Sequence, residues 1–211
     1  MNMGKVKYRE IIKDDYETIK NMIGEAFGFN EFIDDAKVLD IALSSYLDIC
    51  ILESSFSKVA EKDNKIIGFI LGNAKKDTNR VDDCSSSVEL NSSEIESIMS
   101  KGNTMELLKE FSKITDAYKE LIEGKKDNFQ GCIQLFIVSK ESRGLGIGKS
   151  LLGYLFDYMK SMDVKSLYVY TDTRCNYKFY DSQNFKLINE KKIYFNTLNM
   201  DLDVFLYEYE F

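Results

Sequence analysis

Hydrophobic and polar positions change period several times along the chain, and each change marks an element. Alternation over residues 5–11 predicts a short opening strand. Tyr16, Ile19, Ile23 and Phe27 then recur at helical spacing, and Asp14 followed three residues later by Glu17 predicts an aspartate form of the capping box. Gly24 and Gly28 are expected to break that helix, after which residues 33–47 carry a second amphipathic pattern. Residues 56–61 and 65–74 predict a hairpin turning at Asp63-Asn64.

The pattern then lapses. Residues 75–91 are polar and turn-rich, which predicts a mobile connection. Leu107, Leu108, Phe111, Ile114, Tyr118, Leu121 and Ile122 next trace an apolar stripe from a cap at Asn103 or Thr104 to Gly124, predicting a helix that covers a sheet or a subunit partner. Residues 132–138 are almost continuously apolar, as in a strand buried on both faces. Ile147, Leu151, Leu152, Leu155, Tyr158, Met159 and Met162 mark one face of another helix. Strands are predicted at 166–171, 185–195 and 203–211, with a short helix at 174–184. The fold class is mixed α/β, of the α+β kind.

Composition narrows the reading. With 211 residues and 44% hydrophobic content the chain can bury one sizeable core, so a single domain over 1–211 is expected. A net charge of -7 argues against a surface that tracks nucleic-acid phosphates and suits a cationic amine. Cys50, Cys84, Cys132 and Cys175 lie too far apart for a C-x-x-C pair, and without histidine no zinc set can be assembled, so no metal is expected. The same lack removes Ser-His-Asp and Cys-His chemistry. Proton transfer falls to Tyr, Asp, Glu, Lys, Cys or water. The opening residues lack the apolar core of a signal peptide, and the apolar run 66–71 is too short to span a bilayer, so the chain reads as cytoplasmic with no membrane partner.

One motif carries chemistry. "SRGLGIGKSLL", residues 142–152, follows the apolar strand and opens a helix, the arrangement in which unpaired amides and the positive end of the helix dipole converge on an anion. A Walker A loop would need glycine where Arg143 stands, and too little chain follows for the rest of such a domain. A dinucleotide fingerprint starting at Gly144 and Gly146 would need glycine at 149, which is Lys. Arg/Gln-x-x-Gly-x-Gly/Ala is satisfied, by Arg143, Gly146 and Gly148.

Here the chain resembles the GNAT superfamily of N-acetyltransferases, whose pyrophosphate loop for coenzyme A carries that pattern. "NYKFYDSQNF", 176–185, is similar to the family's Asn-x-x-x-Tyr helix and its terminal turn, with Asn184 where glycine is commoner, and "VAEKDNKIIGFILG" is similar to its second and third strands. The resemblance implies a mixed sheet of six to seven strands flanked by helices, with a helical insertion at 75–131 between the third and fourth strands. It further implies acetyl-CoA as co-substrate, with backbone near Phe136, Ile137 and Val138 meeting the pantetheine arm. The amides of Arg143, Gly144, Leu145, Gly146, Ile147, Gly148 and Lys149 would cradle the pyrophosphate. Gly146 and Gly148 would allow close approach of backbone to phosphate. Lys149 and Ser150 then only begin a helix, with no magnesium implied. Asn176 would bind the cofactor's arm, and Tyr180 would protonate the departing thiolate.

The base is open. Where many relatives carry glutamate on the central strand this chain has Gln134, which cannot take a proton but could orient a water, with Asp172 or an acid such as Glu25, Glu31, Asp34 or Asp35 completing a relay. For the acceptor, a small-molecule or peptide amine, the resemblance implies a lining of Phe27, Phe29, Asn30, Glu31 and Phe32. The insertion could roof that site, join two copies into a homodimer, or be inert. Two other classes stay in play: an acyl-CoA-binding regulatory module without chemistry, and a nucleotide-dependent phosphotransferase built on the glycine loop.

Overall fold

Asp63 and Asn64 both adopt left-handed backbone, φ 51° and 60°, which a two-residue turn between right-twisted strands requires. In the computed structural model, which describes residues 5–82 and 104–211, this turn joins β2 to β3 as the sequence predicts. The strands are β1 (Lys7–Arg9), β2 (Phe56–Lys62), β3 (Lys65–Ala74), β4 (Gly131–Val138), β5 (Ser166–Asp172), β6 (Lys186–Phe195) and β7 (Met200–Glu210). The helices are α1 (Tyr16–Phe27), α2 (Phe29–Phe32), α3 (Ala36–Leu52), α4 (Thr104–Ile122), α5 (Ile147–Ser161) and α6 (Lys178–Ser182). They make a mixed α/β fold, a seven-stranded mixed sheet flanked by helices. Cys84, the Asn103 cap and the part of the 75–91 connection beyond 82 lie outside the described residues. No helix among the described residues is long and apolar enough to cross a membrane.

The chain divides into two compact units. The first holds residues up to 82 together with Gln130–Leu167 and Phe211; the second holds the residues from 104 to 129 and Tyr168–Glu210.

In the first unit β1 to β4 pair antiparallel in sequence order. Leu71 faces Leu135 but Gly72 faces Ile133, so β4 carries one extra residue, Gln134, in a bulge. Ile19 and Ile23 of α1 and Leu43, Leu47 and Ile51 of α3 pack on Val59, Phe69, Leu71, Leu135 and Ile137. Gly72, next to Leu71 and so on the other face, lies under Leu155 and Met159 of α5. A Cβ at Gly72 would stand 2.5 Å from Leu155 Cδ1 and 3.2 Å from the Cys132 carbonyl. Gly72→Val should therefore overpack the layer by about 1–3 kcal/mol. Thermal unfolding should show a Tm lower by roughly 5 °C; an unchanged Tm would mean that α5 does not rest this closely on β3.

Two expectations about α1 change. Asp14 is not its cap: Asp15 occupies that place and its carboxylate turns back, accepting the Ile12 amide at 2.9 Å and both Arg9 Nη atoms at 2.6 and 2.8 Å. Burial alone would raise the Asp15 pKa, but the Arg9 and Ile12 bonds outweigh it and hold the carboxyl below its ordinary value. Arg9 Nε also reaches Glu61, which ties β1, β2 and the helix entry together. Gly24 does not break α1 either; it is buried within the helix, where a Cβ would strike Asn30 Oδ1. The break comes at Gly28, φ 71°. Asp35 caps α3 by accepting the amides of Lys37 and Val38.

In the second unit β6 and β7 form an antiparallel hairpin, and β7 lies between β6 and β5. Ala117, Leu121 and Ile122 of α4 are buried with Ile193, Leu202, Val204 and Leu206, so this helix of the insertion builds the unit's core. The helix predicted at 174–184 is only Lys178–Ser182, because Thr173–Tyr177 are turns.

Candidate functional site

After β4 the chain makes one 3₁₀ turn, Lys140–Ser142, and then the glycine-rich loop. Gly144 and Gly146 are left-handed, φ 79° and 77°, and Gly146 caps α5. A Cβ on either would meet nothing within 4 Å, so glycine is required there by backbone conformation and not by crowding inside the protein. Gly148 lies inside α5 with no positive φ, so the left-handed pair is Gly144 and Gly146. Ile147 is buried and anchors the turn, whereas Arg143 to Gly146 and Lys149 are exposed. The first amides of α5 have no intrahelical acceptor and carry the positive end of its dipole, so the loop is able to hold an anion.

β4 is covered on both faces, by α1 and α3 on one and by α5 on the other. Cys132, Ile133, Leu135 and Ile137 are buried, while Gln134, Phe136 and Val138 are half-buried. The run reads as almost continuously apolar because Phe136 and Val138 are apolar at the partly buried positions, and Gln134 is its one polar residue. At the bulge, the Cys132 thiol donates to Gln134 Oε1 at 3.6 Å, and Gln134 Nε2 donates to Glu53 Oε2 at 2.7 Å. Glu53 is the C-cap residue of α3. Burial pushes the nearby Cys50 thiol up to about 12, with the Glu53 charge adding to the rise and a Tyr46 bond opposing it.

The acceptor candidates lie on α1, the connecting glycine and α2. Phe27 and Phe29 flank Tyr46 with ring centroids 5.9 and 6.0 Å away and pack onto the first unit's core. Asn30 and Glu31 are exposed and Phe32 is half-buried. The phenylalanines thus have a packing role of their own.

The second unit holds Asp172, Asn176 and Tyr180. Asp172 Oδ1 accepts the amides of Arg174 and Cys175 at 2.8 and 3.2 Å, which shapes the turn after β5. Burial raises its pKa despite those bonds. Burial likewise pushes the Cys175 thiol up to about 12, with the adjacent Asp172 charge adding to it. Asn176 is exposed, and its carbonyl accepts from Phe179 as α6 begins. Tyr180 is buried between Phe185 and Phe179, with Tyr207 5.8 Å away. Burial raises its hydroxyl well above the ordinary phenol, helped by the charges of Cys175 and Asp172. Asn184 is left-handed, φ 64°, which explains why glycine suits that position.

Sequence reasoning missed Glu53 and Tyr118. Glu53 looked like any polar residue after an amphipathic helix. Tyr118 belongs to the apolar stripe of α4, but its ring stacks on Tyr170 at 4.2 Å, and burial raises its hydroxyl, with Asp172, Cys175, Tyr170 and Tyr180 adding to the effect.

A model of the acetyltransferase (GNAT) family matches residues 16–185. Among curated proteins none matches the chain by sequence. Solved structures share the fold at low identity. An N-acetyltransferase from Staphylococcus aureus Mu50 is 16% identical, with 98% of each chain covered and a TM-score of 0.56. An acetyltransferase of the GNAT family from Desulfovibrio desulfuricans is 14% identical, with 98% of this chain and 99% of that one covered and a TM-score of 0.52. An agmatine N-acetyltransferase, a mutant in its apo form, is 11% identical, with 98% and 99% covered and a TM-score of 0.58.

Proposed function

Because the chain belongs to the acetyltransferase (GNAT) family, we propose that it transfers an acetyl group from acetyl-CoA to a primary amine by direct attack on the thioester. The observation that carries this is the loop between β4 and α5, where left-handed Gly144 and Gly146 leave exposed backbone at a helix N-terminus. In this reading the amides from Arg143 to Lys149 hold the pyrophosphate, the backbone of Phe136 to Val138 pairs with the pantetheine arm, and Asn176 binds that arm. Tyr180 gives its proton to the leaving thiolate. The acceptor is a cationic amine, which the net charge of -7 favours.

Thermal stabilisation by acetyl-CoA, ATP and NAD tests the ligand, and thiol release over a panel of polyamines, amino acids, agmatine and peptide N-termini tests the reaction. Acetyl-CoA at 100 times its Kd should stabilise the protein by about 2.7 kcal/mol, with neither nucleotide doing so. Stabilisation by ATP or NAD instead would overturn the reading. Gln134 in place of a strand glutamate favours one rival, an acyl-CoA-binding module, and acetyl-CoA binding without thiol release from any amine would establish it.

A further inference from the structure

Proton acceptance is the step that the acetyltransferase reading leaves open among several acids, with Gln134 orienting a water. The bulge in β4 puts one extra residue, Gln134, on the strand, and a bulge re-aims the side chain it carries. Here the Gln134 amide is pinned at both ends. Its oxygen accepts from the Cys132 thiol, which turns its nitrogen toward Glu53 Oε2 at 2.7 Å. Among the described residues nothing else hydrogen-bonds the Glu53 carboxylate, so Oε1 stays open to a donor. The glutamate is exposed and can hand a proton on to bulk water. Gln134 lies two residues, about 7 Å along the strand, before Phe136, where the proposed function places the acetyl end of the cofactor. All of these residues belong to the first unit.

We propose that Glu53, held in place by Gln134, is the proton acceptor for the attacking amine. The inference rests on the acetyltransferase reading. An ammonium acceptor gives one proton to Glu53, directly or through a water, and becomes a neutral amine. Its nitrogen lone pair forms the C–N bond to the thioester carbonyl carbon, and the C–S bond breaks. The thiolate takes the Tyr180 proton, the phenolate regains one from the acylated nitrogen, and Glu53 releases its proton to solvent. The sum is amide, free thiol and one proton. A glutamine on the strand suits this arrangement because it orients the carboxylate without adding a second charge that would oppose its ionisation.

The test is the pH dependence of kcat for the full chain, Glu53→Gln and the exchange variant Glu53→Gln/Gln134→Glu, with an amine that the parent acetylates. Glu53→Gln should lower kcat at pH 7 by about 10²–10⁴-fold, with acetyl-CoA stabilisation and Tm unchanged. That deficit should shrink as the pH nears the amine's own pKa, about 10.4 for a lysine-like acceptor. The exchange variant returns a carboxylate to the other side of the same hydrogen bond and should recover at least about tenfold over Glu53→Gln. A surface pair with a structural role only would move Tm and leave the pH profile alone. Glu53→Gln within about threefold of the parent at pH 7, or a loss equal at every pH and unrecovered by the exchange, overturns the inference while the parent's activity keeps the transferase reading. A parent that releases no thiol with any amine overturns both.

Discussion

Replacing Gly146 by valine should weaken acetyl-CoA binding by about 100-fold while leaving the protein folded. A non-glycine residue in left-handed backbone costs roughly 1–2 kcal/mol, and β-branching makes that worse. Gly146 is left-handed at φ 77° and a Cβ there meets no protein atom within 4 Å, so the fold has no clash to relieve and the strain stays local. The loop either keeps its shape with the side chain standing over the exposed amides, or relaxes and turns them away. Both routes lose one or two hydrogen bonds to a charged ligand, each worth about 1.5–3 kcal/mol. About 3 kcal/mol is roughly two decades in Kd. Calorimetric titration with acetyl-CoA measures this directly. Gly153→Ala is the control, since Gly153 sits in α5 with open space around its Cβ, and alanine there should stabilise by about 0.5–1 kcal/mol with affinity unchanged. An affinity within twofold of the parent for Gly146→Val would show that the loop does not carry the pyrophosphate.

The same loop shows how far sequence reading reached. β3 is met residue for residue and β2 and β4 to one residue, because alternation, β-branched content and the Asp63-Asn64 turn agree over that stretch. The spacing of Arg143, Gly146 and Gly148 led to the right family and to one of the two left-handed glycines, Gly146. A pattern records which residue types occur and not which φ each adopts, so the left-handed turn at Gly144 is not written in it. The cap of α1 failed for a related reason: Asp14 and Asp15 are equivalent on paper, and only the approach of Arg9 from β1 decides between them. Glu53 was out of reach altogether. It meets Gln134 across 81 positions of sequence, and the meeting depends on a bulge that no periodicity announces. The insertion's stripe was legible as a helix covering a sheet or a partner, and the structure gives the first, on β6 and β7, a choice that amphipathicity alone does not make.

Tyr180→Phe should lower kcat by about 100-fold with acetyl-CoA affinity within twofold of the parent. The substitution keeps the ring and therefore its packing on Phe179, Phe185 and Tyr207, so Tm should stay within a degree or two. Among the described residues none hydrogen-bonds the hydroxyl, so its loss leaves no protein group unsatisfied. What changes is the proton. Burial penalises the phenolate, and the charges of Cys175 and Asp172 penalise it further, so the hydroxyl stays protonated well past its ordinary pKa of about 10. The parent's kcat should accordingly show no alkaline limb from Tyr180 below that pH. The same shift makes donation to a thiolate of pKa about 8.5 uphill by at least 2 kcal/mol, so the phenol can act only if the proton leaving the acylated nitrogen replaces its own within the same event. A solvent isotope effect on kcat in the parent that is lost in Tyr180→Phe would reveal that coupling. Equal kcat for the two proteins, measured where chemistry limits turnover, would remove Tyr180 from the reaction and leave solvent water to protonate the thiolate.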